Sequence, residues 1–177
     1  MRLRNDSYER YAVRWEHCAA RLRERPRCVA ALQVVSKALT VLFYGAYAAL
    51  LVAIALIHPS RAIPLVLVPG AAFAAVSLFR RYFNAPRPYE CCSVRPLLVR
   101  EGSGQSFPSR HAFSAFAIAA SWFALSAPVA IGLLGCACAV GVLRVVGGVH
   151  FPRDVIAGAA IGALAGAAAA AAALMLP

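Results

Sequence analysis

The chain has 177 residues, 62% of them hydrophobic and only 14% charged, with a mean hydropathy of +0.70. This excludes a water-soluble globule. Modest counts of glycine and proline exclude collagen-like and disordered chains, and six cysteines spread along an apolar sequence do not make a disulfide-stapled secreted module. The net charge of +11 is gathered into a few segments, which fits an anionic lipid surface and not nucleic acid.

The fold class expected is all-α: a polytopic membrane bundle of about five transmembrane helices preceded by a basic amphipathic segment over residues 1–35. In that segment Arg2, Arg4, Arg10, Arg14, Arg21, Arg23, Arg25 and Arg27 alternate with Tyr8, Tyr11, Trp15 and Leu22, the pattern of a helix lying on an anionic leaflet. The transmembrane domain, 36–177, follows. Uncharged runs at 38–57 and 62–79 each match the roughly 20 residues a span needs. Pro64 and Pro69 lie in the second, so its freed carbonyls must find partners inside the bundle. The 32 uncharged residues at 112–143 are too many for one span and reverse at Ser126-Ala127-Pro128, and an Ala- and Gly-rich run at 155–177 completes the set. The expected helices are about 36–57, 62–83, 109–126, 128–147 and 153–176.

With five crossings, 17 of the 18 Lys and Arg residues fall on one side and Arg61 alone on the other. The positive-inside rule puts the basic side, and with it the N-terminus, in the cytoplasm.

Three polar clusters lie at helix ends on that side: Arg80-x6-Arg87-Pro88, Phe107-Pro108-Ser109-Arg110-His111, and Arg144-x5-His150-x3-Asp154. Arg80, Arg87, Arg110 and Arg144 have too few acids nearby to neutralise them and invite a multiply charged anion such as phosphate. Ser109 is placed to cap one helix and Pro152 to open another, so two helix N-termini face the same spot. His150 stands four residues before Asp154, whose carboxylate can fix the imidazole and stabilise positive charge on it, as a nucleophile requires. His111 is the general acid and base. Singly, each has a plainer role: arginines snorkel, Ser109 caps, and Asp154 complements a helix dipole. Their coincidence at three independent helix ends favours a phosphoryl-transfer site. The cysteine pairs Cys91-Cys92 and Cys136-x-Cys138 match no zinc spacing.

These motifs resemble those of the type 2 phosphatidic acid phosphatase family, part of the larger group that includes vanadium haloperoxidases. The family pattern of Lys-x6-Arg-Pro, Pro-Ser-Gly-His and Ser-Arg-x5-His-x3-Asp occurs in order with each internal spacing kept. The resemblance implies a lipid phosphatase with a phosphohistidine formed on His150, support from Asp154, acid-base work by His111, phosphate binding by Arg80, Arg87, Ser109 and Arg144, and no metal or other cofactor. Its partners are a lipid phosphate and the membrane. Polyprenyl phosphates, diphosphates and prenyl phosphosugars are favoured over phosphatidate or phosphatidylglycerol phosphate. Three positions depart from the pattern: Arg80 replaces Lys, with Arg81 beside it as a competitor for the role; Arg110 replaces Gly; and Leu143 replaces Ser. The alternative reading is an anionic-lipid-binding protein with weakened turnover. Five crossings, against the family's more usual six, imply a cytoplasmic site. The connection at 84–107 is expected over the site, stiffened by Pro86, Pro88 and Pro96, with a flexible tip at Gly102-Ser103-Gly104.

Overall fold

The computed structural model describes residues 2–92, 94–98 and 103–177, with backbone alone for residues 2–8. Gly102 and the side chains of Arg2, Arg4 and Tyr8 therefore lie outside the described residues. Proline sets most helix starts, since its fixed φ suits the first turn and its missing N–H costs nothing there. It opens α2 (Pro26–Ile57), α3 (Pro59–Phe83), the short α4 (Pro88–Cys91) and α7 (Pro152–Leu174), and stands second in α6 (Ala127–Val146). The other elements are α1 (Arg2–Arg23), α5 (Arg110–Ser121) and a 3-10 turn, Trp122–Ala124.

Four described helices, α2, α3, α6 and α7, are long and apolar enough to cross a membrane. Their outward faces are greasy, with Leu56, Ile131 and Leu164 all more than half exposed. The remaining expected span, 109–126, is α5 plus the 3-10 turn. It is shorter than the others and lies at the centre of the bundle, with eight of the twelve α5 residues buried.

Two expectations about the N-terminal region change. Helix α2 begins ten residues before the expected 36 and runs 32 residues, about 48 Å at 1.5 Å each, so its first turns extend past a hydrocarbon core of about 30 Å. Arg27, Gln33 and Lys37 interrupt the hydropathy without interrupting the helix. Trp15, expected at a lipid interface, is buried on protein instead. It clusters with Ala19, Val94 and Leu97, and its Nε1 donates to the Val145 carbonyl at 3.0 Å. Arg10, Arg14 and Arg21 remain exposed on the outer face of α1.

The closest helix pair is α5 on α7. Gly158, Gly162 and Gly166 recur every fourth residue, forming one stripe of α7. A Cβ on each would be driven into the Ser109, Phe113 and Ala117 carbonyl oxygens respectively. Pro69 cannot donate to the Leu65 carbonyl one turn back, and the Tyr47 hydroxyl of α2 donates to it at 2.8 Å instead. At one end of the bundle Ser60 Oγ and Arg61 Nε donate to the carbonyls of Pro177 and Leu176 at 2.6 and 3.0 Å. The opposite end holds α1, the described residues between α3 and α5, and the α6–α7 turn, where Leu97 N–H and Leu98 N–H donate to the Gly147 carbonyl.

Candidate active site

Arg80 and Arg87 enter the site from the end of α3 and the start of α4, and both are fully buried. Arg80 Nη1 donates to the carbonyls of Ser106, at 3.2 Å, and Pro108. Its neighbour Arg81 is exposed, so Arg80 is the side chain turned inward from the first motif. Arg87 donates through Nε to Gly104 O at 2.8 Å, through Nη2 to Gln105 O at 3.2 Å and through Nη1 to Val149 O at 2.9 Å. One guanidinium thus joins the loop before α5 to the turn before α7. A planar fork can reach several carbonyls at once, where a lysine ammonium on a flexible stem cannot.

Gly104, expected at a flexible tip, is held at both backbone groups. Its N–H donates to Glu90, its carbonyl accepts from Arg87, and its φ of 64° is one that glycine adopts without penalty. Glu90 also accepts from the Arg87 N–H at 2.8 Å. Asn84, itself left-handed at the end of α3, accepts from Gln105 N–H.

Ser109 is the N-cap of α5, its hydroxyl accepting from Ala112 N–H at 3.5 Å, while its own N–H donates to the Asp154 carbonyl at 2.8 Å. This backbone bond ties the second motif to the third. His111 follows two residues after Ser109, and His150 precedes Asp154 by four, so both histidines sit on segments in direct contact.

His150 and Asp154 are buried, at 1% and 0% exposure. Asp154 lies in the first turn of α7 and its Oδ2 accepts from the Phe151 N–H at 3.1 Å and from the Ser106 hydroxyl at 2.5 Å. His150 Nδ1 is 3.6 Å from that same oxygen and 3.3 Å from Ser106 Oγ. Burial pushes the His150 imidazole down to about 4; contact with Asp154 opposes the fall, and the charges of Arg87 and Arg80 add to it. The ring is therefore neutral near pH 7, the state in which a nitrogen lone pair can attack.

Arg110 and His111 are half-buried and open into a cavity of about 280 Å³ lined also by Tyr44, Phe73, Ile118 and Val140. The Arg110 guanidinium lies 6.0 Å from the centre of the Phe73 ring. Arg144 is half-buried in a neighbouring cavity with Gln33 and Lys37, and Thr40 lines both hollows. The structure thus links Arg80, Arg87, Ser109, His150 and Asp154 in one bonded network and sets His111, Arg110 and Arg144 at cavity walls.

Ser106 and Glu90, which stand outside the three sequence motifs, hold this network together. Their signal is positional: Ser106 is the last polar residue before the second motif, and Glu90 stands at the third position of a proline-initiated helix, where a carboxylate reaches back to the preceding N–H.

Comparison with known proteins agrees with this architecture. The PAP2 superfamily model matches residues 47–175. Over 59 residues the chain is 41% identical to a lipid A 1-phosphatase of Rhizobium johnstonii, a match covering 33% of this chain and 24% of that protein's length. Among solved structures, Aquifex aeolicus LpxE is similar with a TM-score of 0.54 and 25% identity, covering 79% of this chain and 92% of its own. The PAP2-type phosphatidylglycerolphosphate phosphatase of Bacillus subtilis shares the fold, with a TM-score of 0.52 at 23% identity over 88% of this chain and 90% of that one. The chain belongs to the PAP2 superfamily.

Proposed function

We propose that the chain is an integral membrane lipid phosphatase that hydrolyses a phosphomonoester or diphosphate through a phosphohistidine on His150. The observation that carries this reading is the buried His150, with Nδ1 turned toward Asp154 and Ser106, so that Nε2 is the nitrogen that meets phosphorus. Nε2 attacks, the bond to the leaving oxygen breaks, and His111 supplies that oxygen's proton. Water then attacks the phosphohistidine and gives its proton to His111. Arg80 and Arg87 place positive charge beneath the phosphoryl group, Arg110 and Arg144 meet its outer oxygens, and the capped start of α5 adds backbone N–H groups. The apolar wall made by Tyr44, Phe73, Ile118 and Val140 receives the first part of a hydrocarbon chain.

Polyprenyl phosphates and diphosphates, prenyl phosphosugars included, head the substrate panel. Lipid A 1-phosphate, named for the Rhizobium relative, stands beside them, followed by phosphatidylglycerol phosphate and phosphatidate. The proposed orientation puts the site and the N-terminus in the cytoplasm, with residues 1–35 at its surface and 36–177 as the catalytic unit.

The test is phosphate release from this panel by wild type and His150→Ala, with a labelled lipid phosphate used to trap an acid-labile label. Turnover in wild type, and loss of both turnover and label in the variant, are expected. Lipid binding without release by wild type points to the anionic-lipid-binding alternative. Compartment-specific reporters on the two termini test the orientation, and an N-terminus outside the cell refutes it.

A further inference from the structure

The position of one serine carries the chemistry of the site further. Ser106 Oγ lies 2.5 Å from Asp154 Oδ2 and 3.3 Å from His150 Nδ1, whereas Nδ1 and Oδ2 are 3.6 Å apart, beyond a good hydrogen bond. The serine hydroxyl, not the aspartate, is the nearer neighbour of the imidazole. An ionised carboxylate only accepts, so the single hydroxyl hydrogen points to Asp154. Toward His150 the oxygen then presents a lone pair, which calls for a hydrogen on Nδ1.

We propose that Ser106 is a positioning residue that relays between His150 and Asp154, holding the proton on Nδ1 and leaving the Nε2 lone pair facing the phosphoryl group. Ser106 is suited to this because its backbone is fixed. Its N–H donates to Ala85 O at 2.9 Å, its carbonyl accepts from Arg80, and the residue is completely buried. The first motif therefore sets where the hydroxyl sits, and the hydroxyl sets which nitrogen of the third motif is nucleophilic. When the Nε2–P bond forms and the P–O bond breaks, the ring gains a positive charge while Nδ1 keeps its hydrogen. Ser106 passes that charge's stabilisation to the Asp154 carboxylate, and His111 protonates the leaving oxygen. When water breaks the N–P bond the ring returns to the same neutral tautomer, so Ser106 resets the site without itself exchanging a proton.

This relay rests on the phosphohistidine reading, and the experiment separates the two. Full-length Ser106→Ala, Ser106→Thr and His150→Ala proteins are compared in detergent micelles containing a lipid phosphate that wild type hydrolyses, with ¹⁵N-histidine spectra recorded for each. Ser106→Ala is expected to lose about 10- to 100-fold in kcat, the scale on which metal-site activity falls when a ligating histidine loses its hydrogen-bond partner. KM and competitive inhibition by inorganic phosphate stay within about twofold, because the cradle that binds phosphate is untouched. Ser106→Thr, which keeps the hydroxyl, regains most of the lost rate. In the spectra, the resonances absent from His150→Ala show Nδ1–H in wild type and a mixture of tautomers in Ser106→Ala. Wild-type kcat in Ser106→Ala, or a wild-type His150 protonated on Nε2, overturns the relay. Undiminished turnover in His150→Ala overturns the phosphohistidine reading, and the tautomer spectra then still decide whether Ser106 holds the ring.

Discussion

The indole of Trp15 lies against the Cα of Gly148, two residues before the buried imidazole of His150. A Cβ added at Gly148 would come within 2.6 Å of Trp15 Cζ2. Gly148 also has a φ of 72°, which a side chain resists. Tyr11 extends the contact, its ring 5.0 Å from that of Phe151. Helix α1 is thus a brace under the turn that carries His150.

Gly148→Ala is expected to cut kcat at least tenfold, through both the strained backbone and the displaced indole, with far less effect on KM. Trp15→Ala removes the packing and the bond to Val145, and is expected to cost about 3 kcal/mol of stability, the usual scale for a large buried aromatic. Thermal unfolding in detergent, with phosphate release measured in parallel, checks both.

The glycine stripe gives a matched pair of substitutions. Gly162→Ala drives a methyl into the Phe113 carbonyl, so α5 and α7 must part and carry His111 away from His150. Gly132→Ala on α6 meets nothing within 4 Å. Activity is expected to fall several-fold or more in the first and to stay at the wild-type level in the second, where alanine also favours the helix by about 1 kcal/mol.

Arg87→Lys keeps the charge but forfeits the three-carbonyl fork, and a loss of roughly 100-fold in kcat/KM is expected from two loops left unjoined around buried carbonyls. Arg80→Ala is expected to be equally damaging, whereas exposed Arg81→Ala stays within about twofold. A result that reverses Arg80 and Arg81 would contradict the inward placement of Arg80.

The pH dependence follows from the burial of His150. Its imidazole is held down to about 4, below its ordinary 6.5, and only the neutral ring attacks. The acid limb of kcat/KM is therefore expected near pH 4, with activity retained at pH 5 to 6, where an ordinary histidine is mostly protonated. Because the unfolded chain binds that proton first, stability is full above about pH 6.5 and declines as pH falls toward 4. A pH–rate profile and unfolding midpoints across this window check both signs.

Much of this was legible in the sequence. Uncharged runs marked the spans because lipid tolerates little else, and Pro128 and Pro152 marked where helices begin, whereas α3 starts at Pro59, three residues before the expected 62. Motif spacing singled out His150, Asp154 and Arg87, whose buried network requires those residue types. What escaped depends on contacts far apart in the chain. Trp15 read as a lipid anchor because amphipathic patterning does not say whether the apolar side meets lipid or protein. The start of α2 was hidden because hydropathy reports membrane depth and not helicity. Ser106 carries no periodic or motif signal, since its role is defined by two partners 44 and 48 residues away.

The bond from Arg87 to Val149 joins positions 62 residues apart, across the whole of α5 and α6. While the chain is being synthesised, the first motif leaves the ribosome well before the carbonyl it must meet exists. Until the final segment arrives, the Arg87 guanidinium is without that partner. The candidate site can therefore close only after the turn that follows α6 has been made.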